Sequence, residues 1–197
     1  MSYDGLSSVN NYEASHVGGN ILEGDPYTHS PSVWDYLIKR FGISSVLDLG
    51  SGMGYASHFF SSRGLKVLAV DGLVENCTKG IYPTVQVDLT KSKVITRVDL
   101  VHCQEVVEYI EEEYLDNLLS SLTCGRIIVM THALPGQPGH HHVNCQPPEY
   151  WIQHLSKYNC QVLVEDTRRV RLLAQKDEAS YLAMSGLVLA NKARLST

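Results

Sequence analysis

The chain lacks a C-x-x-C pair, a surplus of basic charge, and any apolar run near the roughly 20 residues that cross a bilayer. Its five cysteines, at positions 77, 103, 124, 145 and 160, are odd in number and scattered. That pattern disfavours a disulfide framework or structural zinc and fits reduced thiols in the cytoplasm. The opening MSYDGLSSVN has neither a basic n-region nor an apolar h-region, so no secretory signal and no membrane partner are expected. A net charge of −5 gives no electrostatic reason to expect nucleic acid, whose phosphates call for clustered Lys and Arg. Arg168, Arg169 and Arg171 form the only dense basic cluster and read as a solvated face. Repeats and low-complexity segments are also missing. What remains is an ordinary globular composition over 197 residues, one domain able to bury about 70% of its unfolded surface.

Residues 1–30 are polar and rich in Gly, Asn and Ser, yet they contain Tyr12, His16, Tyr27 and His29. They read either as a lid over a cleft or as a flexible tail. Ser30-Pro31 then opens a helix, with a serine cap and a proline at the first turn. Trp34, Leu37, Ile38 and Phe41 form its buried face, and Gly42 ends it. The pattern predicts strands over Ser45–Leu49, Lys66–Val70, Thr84–Val87, Leu100–Cys103, Arg126–Thr131, Gln161–Glu165 and Gly186–Ala190. Helices are expected over Ala56–Arg63, Glu112–Leu122, Pro148–Lys157 and Val170–Tyr181. Strands alternating with helices indicate an α/β fold with a doubly wound, mostly parallel sheet.

The most informative stretch is VLDLGSGMGYASHFF, Val46 to Phe60. A buried strand runs into Asp48, then Gly50, Gly52 and Gly54 alternate with Ser51 and Met53 before a helix start. Such a turn lets backbone approach a ligand closely and presents unpaired helix N–H groups. A dinucleotide fingerprint would place a third glycine where Tyr55 stands, so a nicotinamide enzyme is disfavoured. Asp71, followed by Gly72, ends the next strand about 20 residues on, where a carboxylate can accept from both hydroxyls of a ribose. The G-x-G-x-G turn with Asp71 resembles motif I of the class I S-adenosylmethionine (SAM) methyltransferases. VQVDLT, with Asp88 and Leu89, and VDLVHCQEVVEYI, with Gln104, Glu105 and Val106, resemble later motifs of that family. The second segment carries Tyr109 where a histidine is frequent. The resemblance covers about residues 34 to 190. It implies a seven-stranded Rossmann-like sheet with helices on both faces and an antiparallel last strand, in one SAM-binding domain over 31–197. It also implies that SAM contacts Asp48, Gly50, Ser51, Gly52, Gly54, Tyr55, Asp71, Gly72, Asp88, Leu89, Gln104, Glu105 and Val106.

THALPGQPGHHHVNCQPPEYWI, Thr131 to Ile152, follows the fifth strand and should overhang the carboxyl edge of the sheet, where ligands of open α/β sheets bind. Three adjacent histidines on an extended segment alternate in direction, so at most two converge, which argues against a metal ion. His132, at the strand end, and His140 with His142, on one side, are the expected proton acceptors. His141 should face the other side. An N/D-P-P-Y/F motif is missing after the fourth strand, which argues against an amino-methylating enzyme acting on adenine or glutamine. The expected activity is methyl transfer to a sugar, metabolite or other small polar acceptor. RNA, including a cap, is the alternative acceptor, and a SAM-binding protein without activity is the rival. Oligomeric state is open.

Overall fold

The computed structural model describes residues 8, 9, 15–17, 20, 21 and 23–195. Tyr12 and most of the first fourteen positions therefore lie outside the described residues. Seven strands form one sheet: β1 (Ser45–Leu49), β2 (Lys66–Asp71), β3 (Thr84–Gln86), β4 (Val98–Cys103), β5 (Gly125–Met130), β6 (Cys160–Val162) and β7 (Leu187–Asn191). Their spatial order is 3-2-1-4-5-7-6, and β7 runs antiparallel to both β5 and β6. The sheet is the doubly wound Rossmann-like arrangement that the sequence led us to expect.

The helices are α1 (Pro31–Phe41), α2 (Tyr55–Ser62), α3 (Val74–Lys79), α4 (Leu115–Leu122), α5 (Pro148–Ser156), α6 (Val164–Lys176) and α7 (Ser180–Ser185). Near-continuous apolar runs make the central strands, because both faces are covered. Val46, Leu100, Ile127 and Val188 pack under Trp34 and Leu37 of α1, Phe60 of α2, Val170 of α6 and Leu182 of α7. Leu47, Val101, Ile128 and Leu189 face the other way, against Leu118 and Leu122 of α4 and Trp151 of α5. Burying each side chain such as Leu37 or Phe60 contributes about 1.5–3 kcal/mol. Among the described residues no helix is long and apolar enough to cross a membrane.

Three local expectations need correction. The strand predicted over Gln161–Glu165 stops at Val162, and α6 starts at Val164, six residues before the predicted helix. Glu165 and Asp166 lie in its first turn, where acidic groups favour a helix N-terminus. Buried Asp166 also accepts from Tyr36 Oη at 2.6 Å and Arg40 Nε at 2.8 Å, which ties α6 to α1. The predicted single helix ending at Tyr181 is two helices, α6 and α7, with Asp177 at the break. Finally, Ser30 makes no side-chain cap. Asp177 does that work: Oδ2 accepts from Ser32 N at 2.8 Å and from Ser30 Oγ at 3.1 Å, and Oδ1 from Ser32 Oγ at 2.7 Å. α3 was not anticipated, being only one and a half turns of mixed polarity.

Candidate functional site

Strand order reverses direction between β1 and β4, and the crevice beyond their carboxyl ends is where an open α/β sheet binds ligands. A cavity of about 1300 Å³ lies there. Its wall after β1 is the glycine turn. Gly50, Gly52 and Gly54 have φ of +74°, +54° and +86°, a region that L side chains rarely adopt. A Cβ on Gly50 would collide with Val106, and one on Gly54 would lie 2.8 Å from Tyr82 Cβ. Gly54 thus faces the α3–β3 connection and is not among the cavity-lining residues, unlike Gly50, Ser51, Gly52 and Tyr55.

Asp71 stands across from the turn. Its Oδ2 accepts from Gly52 N at 2.8 Å, and its Oδ1 from Leu73 N at 2.8 Å and Asn76 Nδ2 at 3.0 Å. Burial raises its pKa more than these donors lower it. Gly72 and Leu89 also line the cavity, whereas Asp88 does not. The Asp88 carboxylate turns to Thr90 Oγ1 at 2.7 Å, Lys91 Nζ at 3.0 Å and His16 Nε2 at 3.1 Å. Burial pushes that carboxyl up, but the hydrogen bonds from Thr90, Lys91 and His16 outweigh it and hold the pKa below the usual range. Its place is an anchor for the N-terminal segment.

The floor holds a chain that sequence reasoning missed. Asp48, 1% exposed, accepts from Ser57 Oγ at 2.5 Å through Oδ2. Its Oδ1 lies 2.7 Å from His102 Nδ1, and His102 Nε2 lies 3.3 Å from Trp34 Nε1. Asp48 and His102 are partners in the parallel β1–β4 register, which puts both side chains on the α1 face. An imidazole among the buried residues at the carboxyl end of this strand, Leu100 to Cys103, was the available signal.

Gln104, Glu105 and Val106 follow β4 and line the cavity. Glu105 has a φ of +54°, and its carboxylate accepts from Thr131 Oγ1 at 2.9 Å. Burial pushes its pKa up to about 7, against that hydrogen bond. Glu108 is fully buried beside Glu105, and burial and then the Glu105 charge push its pKa well up.

The histidine loop closes one end. His140 and His142 line the cavity, while His141, at φ +46°, turns away to Glu111 Oε1 at 3.0 Å. The segment is a turn and not extended, but the sidedness is as expected. His142 Nδ1 lies 3.2 Å from the Gln137 carbonyl, to which only an N–H can donate, leaving the lone pair on Nε2. Burial lowers its pKa, which keeps the ring neutral. His132 is a correction. It is 1% exposed, does not line the cavity, and its backbone N–H donates to Ser185 Oγ at 3.1 Å. The strand end that was expected to present it instead buries it beside α7. Among the described residues no three His, Cys, Asp or Glu side chains group as a metal site.

Among the described residues the cavity wall carries six carboxylates, those of Glu23, Asp25, Asp48, Asp71, Glu105 and Asp177, and no lysine or arginine. His16, Ile21 and the stretch from Glu23 to His29 supply its outer wall, a contribution the sequence left undecided.

No protein-family model matches the chain, and no curated protein does. Solved structures do. One is a putative methyltransferase from an antibiotic biosynthesis pathway of Anabaena variabilis, with 14% identity, TM-score 0.52, 70% of this chain and 66% of that one covered. The [4+2]-cyclase SpnF has 11% identity, TM-score 0.56, and coverage of 82% and 80%. Magnesium protoporphyrin IX methyltransferase from Synechocystis, solved with bound SAM, has 18% identity, TM-score 0.51, and coverage of 66% and 67%. The chain spans about two thirds of the length of the first and third of these. Together with the strand order, these likenesses assign the chain the fold of the class I SAM-dependent methyltransferases.

Proposed function

We propose that the protein is a SAM-dependent methyltransferase acting on a small polar acceptor in the cytoplasm, where its free thiols would stay reduced. One observation carries the reading: a glycine turn and a held carboxylate, Asp71, face each other in a cavity whose charged wall residues are otherwise acidic or histidine. SAM has a sulfonium, an ammonium and a ribose diol, and the cavity's chemistry fits each. Carboxylates favour the cationic groups, and Asp71 Oδ2 keeps an acceptor position for a hydroxyl. Asp48, Gly50, Ser51, Gly52, Tyr55, Asp71, Gly72, Leu89, Gln104, Glu105 and Val106 would hold the cofactor. When bound it supplies an activated methyl group.

The remaining chemistry belongs to the protein. An acceptor hydroxyl or amine must give up a proton, and His142 Nε2 is a neutral base whose tautomer the Gln137 carbonyl sets. His140 flanks it. The segment before α1 acts as a lid. It is pinned by His16 to Asp88 at 3.1 Å, by Tyr55 Oη to the Glu23 carbonyl at 3.1 Å, and by Tyr181 Oη to Asp25 Oδ2 at 3.0 Å. Closing such a site excludes water and fixes the acceptor. Anionic acceptors, RNA among them, suit this wall poorly, since phosphate recognition uses Arg and Lys.

One of the structural neighbours is described as a cyclase, so turnover is the deciding experiment. Purified protein should bind SAM and S-adenosylhomocysteine in calorimetry and convert the first into the second with a suitable acceptor. Binding without turnover across a broad acceptor set would favour a non-catalytic SAM-binding protein. Binding of NAD but not SAM would overturn the reading.

A further inference from the structure

His102 is a buried imidazole that the proposed transfer does not use, and its surroundings provide for two charge states. It contacts Asp48 of β1, Trp34 of α1, the Phe60 ring of α2 at 5.7 Å, and Gln104 just beyond its own strand. Asp48 is the one ionisable group among them. Nδ1 keeps its proton in either state, because only an N–H can meet the Asp48 carboxylate at 2.7 Å. Nε2 has a choice. It lies 3.3 Å from the Trp34 indole N–H, which can only donate, and 3.2 Å from Gln104 Oε1, which can only accept. With Nε2 unprotonated, Trp34 donates to it. With Nε2 protonated, it donates to Gln104. The two arrangements exclude each other, and both partners are already in place.

We propose that His102 is the charge-balancing residue of the cofactor site: it is protonated when the site holds no cation and gives up that proton when SAM enters. The inference rests on the reading of the cavity as a SAM site. Protonated His102 with ionised Asp48 is a neutral pair, and neutral His102 leaves one net negative charge on the floor. SAM carries one positive charge more than S-adenosylhomocysteine, at the sulfonium. Both Asp48 and His102 line the cavity, so that extra charge favours the negative floor and hence neutral His102. The thioether product lacks the charge, and His102 regains its proton. The floor therefore senses which of two nearly isosteric ligands is bound. Glu105, Asp71, His16, His29, His140 and His142 also face the cavity, so the test must isolate His102.

The experiment is calorimetric titration of the full chain with SAM and with S-adenosylhomocysteine, in two buffers of different ionisation enthalpy, between about pH 5 and 8, where imidazole changes charge. SAM should release up to one proton more than S-adenosylhomocysteine as the pH falls. The ratio of their affinities should then shift toward SAM by up to about tenfold per pH unit as the pH rises, the limit for one linked proton. His102→Asn, whose amide can still donate to Asp48, should abolish the difference. Trp34→Phe, which removes the donor that supports the neutral form with and without ligand, should move the release to higher pH. Equal proton counts for the two ligands in the wild-type protein overturn the proposal, as does a difference that survives in His102→Asn. Binding of neither ligand overturns the SAM reading itself, and this inference with it.

Discussion

Replacing Asp71 with asparagine keeps one oxygen, which can accept from Leu73 N or from Gly52 N but not from both, and removes the charge and half the acceptor capacity. A hydrogen bond to a charged group contributes about 1.5–3 kcal/mol, so SAM affinity should fall roughly 10- to 100-fold in a folded protein. Unchanged affinity by calorimetry would remove Asp71 from the ribose site. Glu108 carries a different consequence. Glu105, at about 7, and Glu108, also raised, hold protons that an unfolded chain releases near 4.5. The native state binds more protons in that window, so stability is highest below it and falls as the pH rises from about 4.5 through 7. Glu108→Gln cannot ionise and should flatten this fall and raise the melting temperature near neutral pH, as read by thermal unfolding across pH. At this scale the placement of the glycine turn and Asp71 at the cavity was legible, because it follows from local spacing after a strand. The placement of Asp88 and His132 off the cavity was not, since sequence order says which strand end a residue occupies but not which way its side chain turns. The Lys91 and His16 contacts of Asp88, and the burial of His132 beside α7, depend on elements that spacing does not bring together.

Elements compete for the same segment of chain, and α6 shows how. Val162, Leu163 and Val164 make a strand-like apolar run, yet Glu165 and Asp166 suit a helix start, and the contacts of Asp166 with Tyr36 and Arg40 favour the helix. Such tertiary contacts are invisible in a periodicity. The same holds for α1, whose cap comes from Asp177 at the α6–α7 break. Asp177→Ala should cost about 1–2 kcal/mol and lower the melting temperature by several degrees, measured by calorimetry. A change below one degree would show that water replaces the carboxylate. The N-terminal segment is the element whose deletion tests the lid. The Trp34 and His29 rings lie 5.1 Å apart, so removing residues 1–29 should uncover Trp34, shift its fluorescence and weaken SAM binding. Equal affinity and equal protease resistance after truncation would reduce the segment to a tail.

Over the whole molecule the doubly wound parallel sheet followed from the alternation of apolar runs and helices, and its antiparallel last strand from the family resemblance, while the cavity's charge followed from neither, since its carboxylates come from five separate stretches of chain. That charge predicts selectivity: in a transferase assay, uncharged and amine acceptors should be methylated in preference to phosphorylated ones, and faster turnover of a phosphorylated acceptor would count against the acidic wall as a filter. The segment that covers the cavity has a consequence for how the protein is born. His16 meets Asp88 across 72 residues, and Asp25 meets Tyr181 across 156. On the ribosome the cover emerges before α1, but the surface that receives it is finished only when α7 has left the exit tunnel. The cover is thus made ahead of the sheet and seated after it. A nascent chain halted after β5 would carry most of a parallel sheet beneath an uncovered cleft, with Trp34 in reach of chaperones, until synthesis of α7 lets the cover come to rest.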